Sequence, residues 1–151
     1  MSCLWMLCLW SPITFAQTNV LSVAPPAKLV AKAGTVVTAK LTAQLREGYH
    51  CNSNKPTDDY LVPLKLTWTA APFDVAEVVY PQPRMEKYSF SKEPLSVYTG
   101  DFEIVTRFKV PVSTPVGSLV LSGKLRYQAC NDRMCLTPKT VDVSLPVEVV
   151  K

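Results

Sequence analysis

Glycine and helix-forming runs are scarce in this sequence, whereas proline is abundant. The 151 residues include five glycines against thirteen prolines, and they contain few runs of Ala, Leu, Glu and Lys. Stretches rich in Val, Thr and Leu are frequent instead, and such stretches between proline-marked turns are typical of β-strands. No stretch reaches the roughly 18 consecutive apolar residues that a membrane-spanning helix needs. The composition therefore argues against a helical fold, and the length fits one domain with a real core.

Clusters of like charge are also absent. Sixteen basic and twelve acidic residues give a net charge of +4, and no three consecutive residues carry the same charge. A nucleic-acid-binding protein is expected to group Lys and Arg on one face, with aromatic side chains among them. The scattered charges instead predict an ordinary solvated surface, and we expect no nucleic-acid partner.

The first sixteen residues differ from the rest of the chain in composition. They are apolar and uncharged, and they end in Thr14-Phe15-Ala16 with a small residue at the last position. This pattern predicts a secretory signal peptide over residues 1–16 and a mature domain over residues 17–151, although the usual Lys or Arg near the start is missing. A buried N-terminal strand or a short membrane anchor is the alternative. Cleavage would remove Cys3 and Cys8 and leave three cysteines in an exported compartment where disulfides persist.

Alternation of apolar and polar residues predicts several β-strands. The sequence alternates from Thr35 to Leu45, with an apolar residue at every second position from Val37 onward, which is the period of a half-buried strand. Similar patterns predict strands over residues 62–68, 75–79 and 102–110, and a final hairpin of residues 119–128 and 141–145 with Gln128 facing outward. Six to eight short strands without a helix predict an all-β fold, namely an immunoglobulin-like antiparallel β-sandwich.

Two connecting segments are predicted to be loops. Residues 52–59 have the polar composition of an exposed loop. Residues 80–90 are proline-rich and irregular, and they carry the aromatic residues Tyr88 and Phe90. Because long connections without secondary structure are usually functional or disordered, the second loop is a candidate functional segment.

Cys130 and Cys135 lie in the predicted turn of the final hairpin, with four residues between them. Opposed strand ends in a hairpin are about 5.5 Å apart between Cα atoms, which is a preferred separation for a disulfide. A bridge that closes so short a loop stabilises the fold by only roughly 2 kcal/mol. A disulfide at this exposed tip is therefore better suited to being formed and broken than to holding the fold together.

The segment around these cysteines resembles the active-site segment of the N-terminal periplasmic domain of DsbD. The resemblance rests on Tyr127-Gln128-Ala129-Cys130, on Cys135 with the following Pro138, on Gly48-Tyr49-His50 and on Asn52-Ser53-Asn54-Lys55-Pro56, and it spans roughly residues 25–150. It implies an immunoglobulin-like fold and a cysteine pair that accepts electrons from a thioredoxin-like domain. It also implies that the pair passes these electrons to periplasmic partners such as disulfide isomerases and cytochrome c maturation thioredoxins.

The same resemblance implies roles for individual residues. An aromatic cap loop over the cysteines would lie at Glu86, Tyr88 and Phe90, while Cys135 would meet partner proteins and Cys130 would resolve the mixed disulfide. This sequence has one residue fewer between its cysteines than the best-known DsbD domains. Because the resemblance does not extend to the membrane and thioredoxin-like domains of that family, we expect a membrane electron donor to act in trans. Apart from the resemblance, Arg133 is a candidate cation that would favour a thiolate, and the alternative is that it is a solvated turn residue.

Two other interpretations of the cysteines stay open. The pair can be a purely structural disulfide of an immunoglobulin-like binding or assembly module. The other interpretation is a metal site. Zinc could be bound by residues of the ligand types His and Cys, and copper also by a Met thioether; the candidates are His50, Cys51, Cys130, Cys135 and Met134. Adjacent residues in an extended segment point to opposite faces, so His50 and Cys51 can hardly share one ion. We expect no metal or other cofactor, a loop position for His50, and a buried unpaired thiol at Cys51.

Overall fold

The computed structural model describes residues 19–151, and the predicted signal peptide lies outside them. Within this range the chain forms twelve β-strands and no helix, and so has no helix that could cross a membrane. The strands are β1 Leu21–Val23, β2 Leu29–Lys32, β3 Val36–Leu45, β4 His50–Asn52, β5 Lys65–Thr69, β6 Asp74–Val79, β7 Arg84–Glu86, β8 Leu95–Thr99, β9 Asp101–Lys109, β10 Gly117–Tyr127, β11 Ala129–Cys130 and β12 Lys139–Val150.

The twelve strands form three four-stranded sheets. The first has the order β1-β3-β9-β6, the second β2-β12-β10-β5 and the third β11-β4-β8-β7. All pairings are antiparallel except that of β2 with β12, which is parallel. The longest pairing joins β10 and β12, from Gly117 opposite Val149 to Tyr127 opposite Lys139. This arrangement confirms the predicted immunoglobulin-like β-sandwich.

The core lies between the first two sheets because their inward-facing residues are the apolar members of each alternation. One cluster includes Leu41, Ile104, Leu125 and Val143, which are almost completely buried. A second cluster contains Phe108, Leu121 and Leu145 and continues the core along the sandwich. Burial of these aliphatic and aromatic side chains supplies most of the driving force for the fold.

The third sheet extends the strands beyond one end of the sandwich. β3 leads through a turn into β4, β8 passes through Gly100 into β9, and β10 is followed after one residue by β11. Between the strands of the sandwich and those of the third sheet, the backbone turns at Gly48, with φ of 83°, and at Gly100, with φ of 62°. Residues with a Cβ atom rarely adopt these positive angles, so glycine permits both changes of direction. The cysteine pair lies in this third sheet.

The structure confirms the strands predicted near residues 35–45, 75–79 and 102–110, and it corrects one boundary. β5 begins at Lys65 rather than at Val62. Pro63 has no N–H group, and the N–H of Val62 bonds to the side chain of Gln128 at 3.2 Å instead of to a neighbouring strand. The expected six to eight strands become twelve, because the short strands of the third sheet do not produce a recognisable alternation.

Both predicted loops are partly wrong. Asn52 ends β4 and is buried together with Ser53, so only the later part of residues 52–59 is a surface loop. The segment 80–90 contains the three-residue strand β7, which pairs with β8. Three-residue strands are too short to show a period of two, which explains why the composition of both segments was misleading.

Candidate functional site

Cys130 and Cys135 form a disulfide whose Cα atoms are 3.9 Å apart. This distance is shorter than the predicted 5.5 Å because the two residues form a non-hydrogen-bonded pair of an antiparallel bridge. The flanking hydrogen bonds run from Asn131 N to Met134 O and from Leu136 N to Ala129 O, at 2.9 and 2.8 Å. The two cysteines therefore form a short antiparallel bridge beyond the end of the β10–β12 hairpin.

The prediction of an exposed tip is wrong for one of the two sulfurs. Cys130 is completely buried, whereas Cys135 is partly exposed and follows Met134, whose side chain is 57% exposed. Cys130 is buried because it belongs to β11, which leaves the hairpin and pairs with β4. The two sulfurs therefore differ in their access to a partner protein.

The loop between the cysteines is held by its own side chain. Asn131 Oδ1 accepts hydrogen bonds from the backbone N–H groups of Arg133 and Met134, both at 2.8 Å. Such a side chain-to-backbone turn stabilises a short polar loop locally. The exposed Arg133 lies in this turn, between the cysteines in sequence.

His50 lies directly opposite Cys130 in the pairing of β4 with β11. Directly opposed residues of an antiparallel pair project from the same face of the sheet, with Cβ atoms about 4.5–5.5 Å apart. Cys51 projects from the other face and belongs to the main core. The expectation that His50 is a loop residue is wrong: it lies in a strand and is only 2% exposed.

An aromatic cap formed by Tyr88 and Phe90 covers His50 on this face of the third sheet. The ring of Tyr88 stacks on His50 with centroids 3.9 Å apart and an interplanar angle of 14°. Phe90 stacks on Tyr88 at 5.5 Å and lies 6.4 Å from His50. The structure therefore brings the predicted cap residues to the strand that pairs with Cys130.

Glu86 and the apolar surface of the third sheet hold the cap in place. The hydroxyl of Tyr88 donates a hydrogen bond to Glu86 Oε2 at 3.0 Å. The Tyr88 ring also packs against a small buried cluster of Leu61, Leu95 and Val97. Tyr88 and Glu86 are half-buried, whereas Phe90 is 41% exposed at the outer edge.

Two polar contacts fix the backbone of the cap. The N–H of Ser91 bonds to the carbonyl oxygen of Tyr88 at 3.1 Å, which closes a turn around Phe90. The hydroxyl of Ser89 donates to the carbonyl oxygen of Asp132 at 2.9 Å. Because Asp132 lies between the two cysteines, the second contact joins the cap directly to the disulfide loop.

A partly buried amide network positions β11, and no pattern in the sequence predicted it. Gln128 Oε1 accepts hydrogen bonds from Asn52 Nδ2 at 3.1 Å and from the N–H of Val62 at 3.2 Å. Gln128 Nε2 donates to the carbonyl oxygen of Leu136 at 3.4 Å. Gln128 was predicted to face outward because it continues the polar positions of β10, but it lies after that strand. The feature of the sequence that could have indicated this role is the position of Gln128 two residues before Cys130, in the motif Tyr127-Gln128-Ala129-Cys130.

Burial controls the titrating groups near the site. It lowers the pKa of His50, although the negative charge of Glu86 acts in the opposite direction. Burial also raises the pKa of Tyr88, and the hydrogen bond to Glu86 adds to the increase. The Cys51 thiol is buried more deeply, and its pKa rises to about 12. Near pH 7 the site therefore holds a neutral imidazole and a protonated Tyr88 hydroxyl, while the Cys51 thiol on the opposite face keeps its proton.

Metal-ligand side chains do not converge around the cysteine pair in the described part of the chain. Residues 19–151 contain no group of three or more His, Cys, Asp or Glu side chains that could hold an ion. Cys51 is the free cysteine of this range and projects to the opposite face from His50. The arrangement offers one disulfide between a partly exposed cysteine, Cys135, and a buried cysteine, Cys130.

A family model described as thiol:disulfide interchange protein DsbD, N-terminal, matches residues 17–146. The chain belongs to this DsbD N-terminal domain family. Among solved structures it is similar to the N-terminal periplasmic domain of ScsB from Proteus mirabilis, with a TM-score of 0.58 and 18% identity. That alignment covers 90% of this chain and 49% of the ScsB chain. The likeness shows a common fold, and this chain spans about half the length of that relative.

Another solved structure, the DsbD N-terminal domain from Neisseria meningitidis in the reduced form, aligns at 17% identity with a TM-score of 0.48. The alignment covers 82% of this chain and 84% of the Neisseria meningitidis domain. Comparison with curated proteins gives no match. Membership of the DsbD N-terminal family and the Cys130–Cys135 disulfide both support a relationship to the thiol–disulfide interchange family.

Proposed function

We propose that this domain is an exported interchange protein that passes electrons from a donor to partner proteins through Cys130 and Cys135. The observation that carries the proposal is the position of the pair. The disulfide closes a loop of four residues, offers the partly exposed Cys135 to a partner and buries Cys130 against β4. Family membership supports the same chemistry.

Electrons enter when a donor thiolate attacks the Sγ atom of Cys135, the sulfur with more access. The bond to Cys130 breaks, its electron pair leaves with the Sγ atom of Cys130, and that sulfur takes up a proton. A second donor thiolate then attacks the donor sulfur of the mixed disulfide, and Cys135 leaves and is protonated in turn. The donor becomes a disulfide, and the domain gains two electrons and two protons. The reverse sequence reduces an oxidised partner.

The cap residues Glu86, Tyr88 and Phe90 have the role of a gate in this proposal. The cap shields the pair between encounters and moves aside when a partner docks. Its outer residue, Phe90, is partly exposed, and Met134 adds apolar surface beside Cys135. Apolar and aromatic side chains are enriched at protein–protein interfaces, so this surface suits a folded protein partner. Thioredoxin-like or disulfide-isomerase-type proteins are the partners that we propose, with a membrane electron donor acting in trans.

Export to the periplasm belongs to the same proposal, because disulfides form and persist in oxidising compartments such as the bacterial periplasm. We expect the signal peptide of residues 1–16 to be removed and the exported protein to begin near Gln17. Intact mass of exported material tests this expectation, and a retained Cys3 or Cys8 would contradict it.

The central experiment is a redox titration of the folded domain. The purified protein is equilibrated in glutathione or dithiothreitol buffers and alkylated, and the labelled cysteines are mapped by mass. We expect Cys130 and Cys135 to be labelled together, at a potential in the range of thioredoxin-like carriers, while Cys51 stays unlabelled. Single variants Cys130→Ser and Cys135→Ser are expected to differ, with Cys130→Ser accumulating mixed disulfides on Cys135.

A Cys51→Ala variant is the matched control, since it removes a thiol on the opposite face of the same sheet. It should leave the potential of the 130–135 pair unchanged. A bridge that resists reduction until the domain unfolds, or pairing of Cys51 with either residue, would overturn the proposal. The domain would then be a binding or assembly module with a structural disulfide.

A further inference from the structure

His50 and Cys130 form a cross-strand pair that contains the buried sulfur of the disulfide. Their opposed positions in β4 and β11 place both side chains on the face that the cap covers. With Cβ atoms about 4.5–5.5 Å apart, the side chains of such a pair are close enough to interact. The imidazole therefore lies beside Cys130, the cysteine that is hidden from partner proteins.

His50 also has an unmet hydrogen-bonding group. Its Nε2 atom is buried and makes no hydrogen bond with any residue of the described range 19–151. Buried polar groups in folded proteins nearly always have partners, so an exception at a candidate active site calls for a physical reason.

The chemistry of the disulfide supplies that reason. A sulfur in a disulfide carries no hydrogen and no net charge, so it is a poor partner for an imidazole. After reduction the same sulfur is a thiol that can donate, or a thiolate that accepts strongly. A hydrogen-bond partner for Nε2 therefore arises beside His50 when the bond between the cysteines opens.

We propose that His50 is the general base for Cys130 when the reduced domain passes its electrons to a partner, an inference that rests on the proposed interchange function. In this step Cys135 is joined to the partner as a mixed disulfide. His50 Nε2 accepts the proton of the Cys130 thiol, and the resulting thiolate attacks the Sγ atom of Cys135. The bond between Cys135 and the partner breaks, and the partner sulfur leaves with the electron pair and is protonated by the imidazolium or by water.

The surroundings of His50 suit a base that is neutral before the step. Burial keeps its pKa below the ordinary value, so the ring nitrogen is free of a second proton at neutral pH. Glu86 supplies a nearby negative charge that stabilises the imidazolium once it forms. Three residues lie directly against His50, namely Tyr88 of the cap and its cross-strand neighbours Thr99 of β8 and Cys130 of β11. A cleft beside His50 is also lined by the titratable or charged side chains of Arg46, Glu47, Tyr49, Glu86 and Asp132.

The first test uses the fact that the chain contains a single histidine. Nitrogen-15 NMR of the imidazole is recorded from pH 5 to 9 for the oxidised domain and for the domain reduced with dithiothreitol. We expect reduction to change the chemical shift of Nε2 and the pH midpoint of His50. Identical shifts and midpoints in both states would overturn the inference.

The second test follows the resolving step with a small disulfide probe, 5,5′-dithiobis(2-nitrobenzoate), in equimolar amount. Attack by Cys135 releases one thionitrobenzoate ion, and attack by Cys130 on the mixed disulfide releases the second. In His50→Gln the second release should slow at least tenfold near pH 7 and recover towards the wild-type rate near pH 9, where hydroxide deprotonates the thiol. The first release should stay within about twofold.

Thr99→Val is the matched control, because Thr99 is the other cross-strand neighbour of His50. It should keep both rates of the wild-type domain. A second release in His50→Gln that matches the wild type at every pH would overturn the role of His50 and leave the interchange function intact. A wild-type bridge that cannot be reduced in the folded state would overturn both. If His50→Gln does not fold, the NMR comparison of the wild-type domain decides alone.

Discussion

The hydroxyl of Ser89 donates a hydrogen bond to the backbone carbonyl oxygen of Asp132 across 2.9 Å. Ser89 lies between the two aromatic residues of the cap, and Asp132 lies in the loop that the disulfide closes. Movement of the cap away from the cysteines must break this bond. Because a neutral hydrogen bond contributes only about 0.5–1.5 kcal/mol to stability, the need to break it adds only a small barrier to the opening of the cap.

Replacing Ser89 with Ala should therefore make the disulfide easier to reach. We expect Ser89→Ala to increase the rate of reduction by a small thiol up to about fivefold, which corresponds to a loss of about 1 kcal/mol. Stopped-flow reduction of the oxidised domain measures this rate. Ser118→Ala is the control, because it removes a hydroxyl that bonds Glu148 on the distant sandwich surface. Equal rates in the two variants would show that the Ser89 contact does not restrain the cap.

Removal of the aromatic cap should have a larger effect on the reduced pair. In the variant Tyr88→Ala/Phe90→Ala we expect alkylation by a bulky maleimide to accelerate about tenfold or more, because the rings that cover the His50–Cys130 face are absent. Phe90→Ala alone tests accessibility at nearly unchanged stability, since this side chain is 41% exposed. Val116→Ala removes a comparably exposed apolar side chain elsewhere and should change nothing. A double variant that reacts at the wild-type rate with unchanged stability would remove the gate from the proposed mechanism.

The long strands could be predicted from the sequence because their alternation reports burial on one face. β3 and β9 show this clearly, and the buried residues of each are the ones that the pattern selects. The third sheet could not be predicted in this way. Its strands have two to five residues, and both faces of β4 are buried, one by the core and one by the cap. An alternating pattern cannot arise where both faces are covered.

The candidate site was predictable only in part for the same reason. The cysteine pair is visible as a short spacing, and the cap positions follow from the family resemblance. The position of His50 depends on a pairing between β4 and β11, which are nearly eighty residues apart in sequence. The role of Gln128 depends on a network that joins three separate segments. Such contacts are set by tertiary packing and leave no local pattern.

The network around Gln128 should be important for stability. Gln128→Ala leaves the N–H of Val62 without its acceptor, and it leaves the amide nitrogen of Asn52 with one hydrogen bond, to the carbonyl oxygen of Val62, instead of two. A polar group that loses its partner in this way costs about 1–3 kcal/mol. We expect the free energy of unfolding to fall by about 2 kcal/mol or more, measured by urea unfolding of the oxidised domain. Gln44→Ala, at an exposed position of β3, is the matched control and should stay within about 0.5 kcal/mol of the wild type. A loss no larger than that of the control would argue that water replaces the amide.

The buried thiol of Cys51 should make the domain sensitive to alkaline pH. Its folded-state pKa is raised to about 12 from 9.0 by burial, so the unfolded chain loses this proton near pH 9 while the folded chain keeps it. The stabilisation is therefore complete below pH 9 and declines as the pH rises towards 12. From pH 8 to pH 10 linkage gives a loss of about 1 kcal/mol in the free energy of unfolding.

Cys51→Ala lacks the titrating group, so its free energy of unfolding should fall by about 1 kcal/mol less over this interval, whatever its stability at pH 8. Urea unfolding of both proteins at pH 8, 9 and 10, followed by tryptophan fluorescence with the 130–135 disulfide intact, measures the difference. Parallel declines in the two proteins would mean that Cys51 is already ionised, or exposed, in the folded domain.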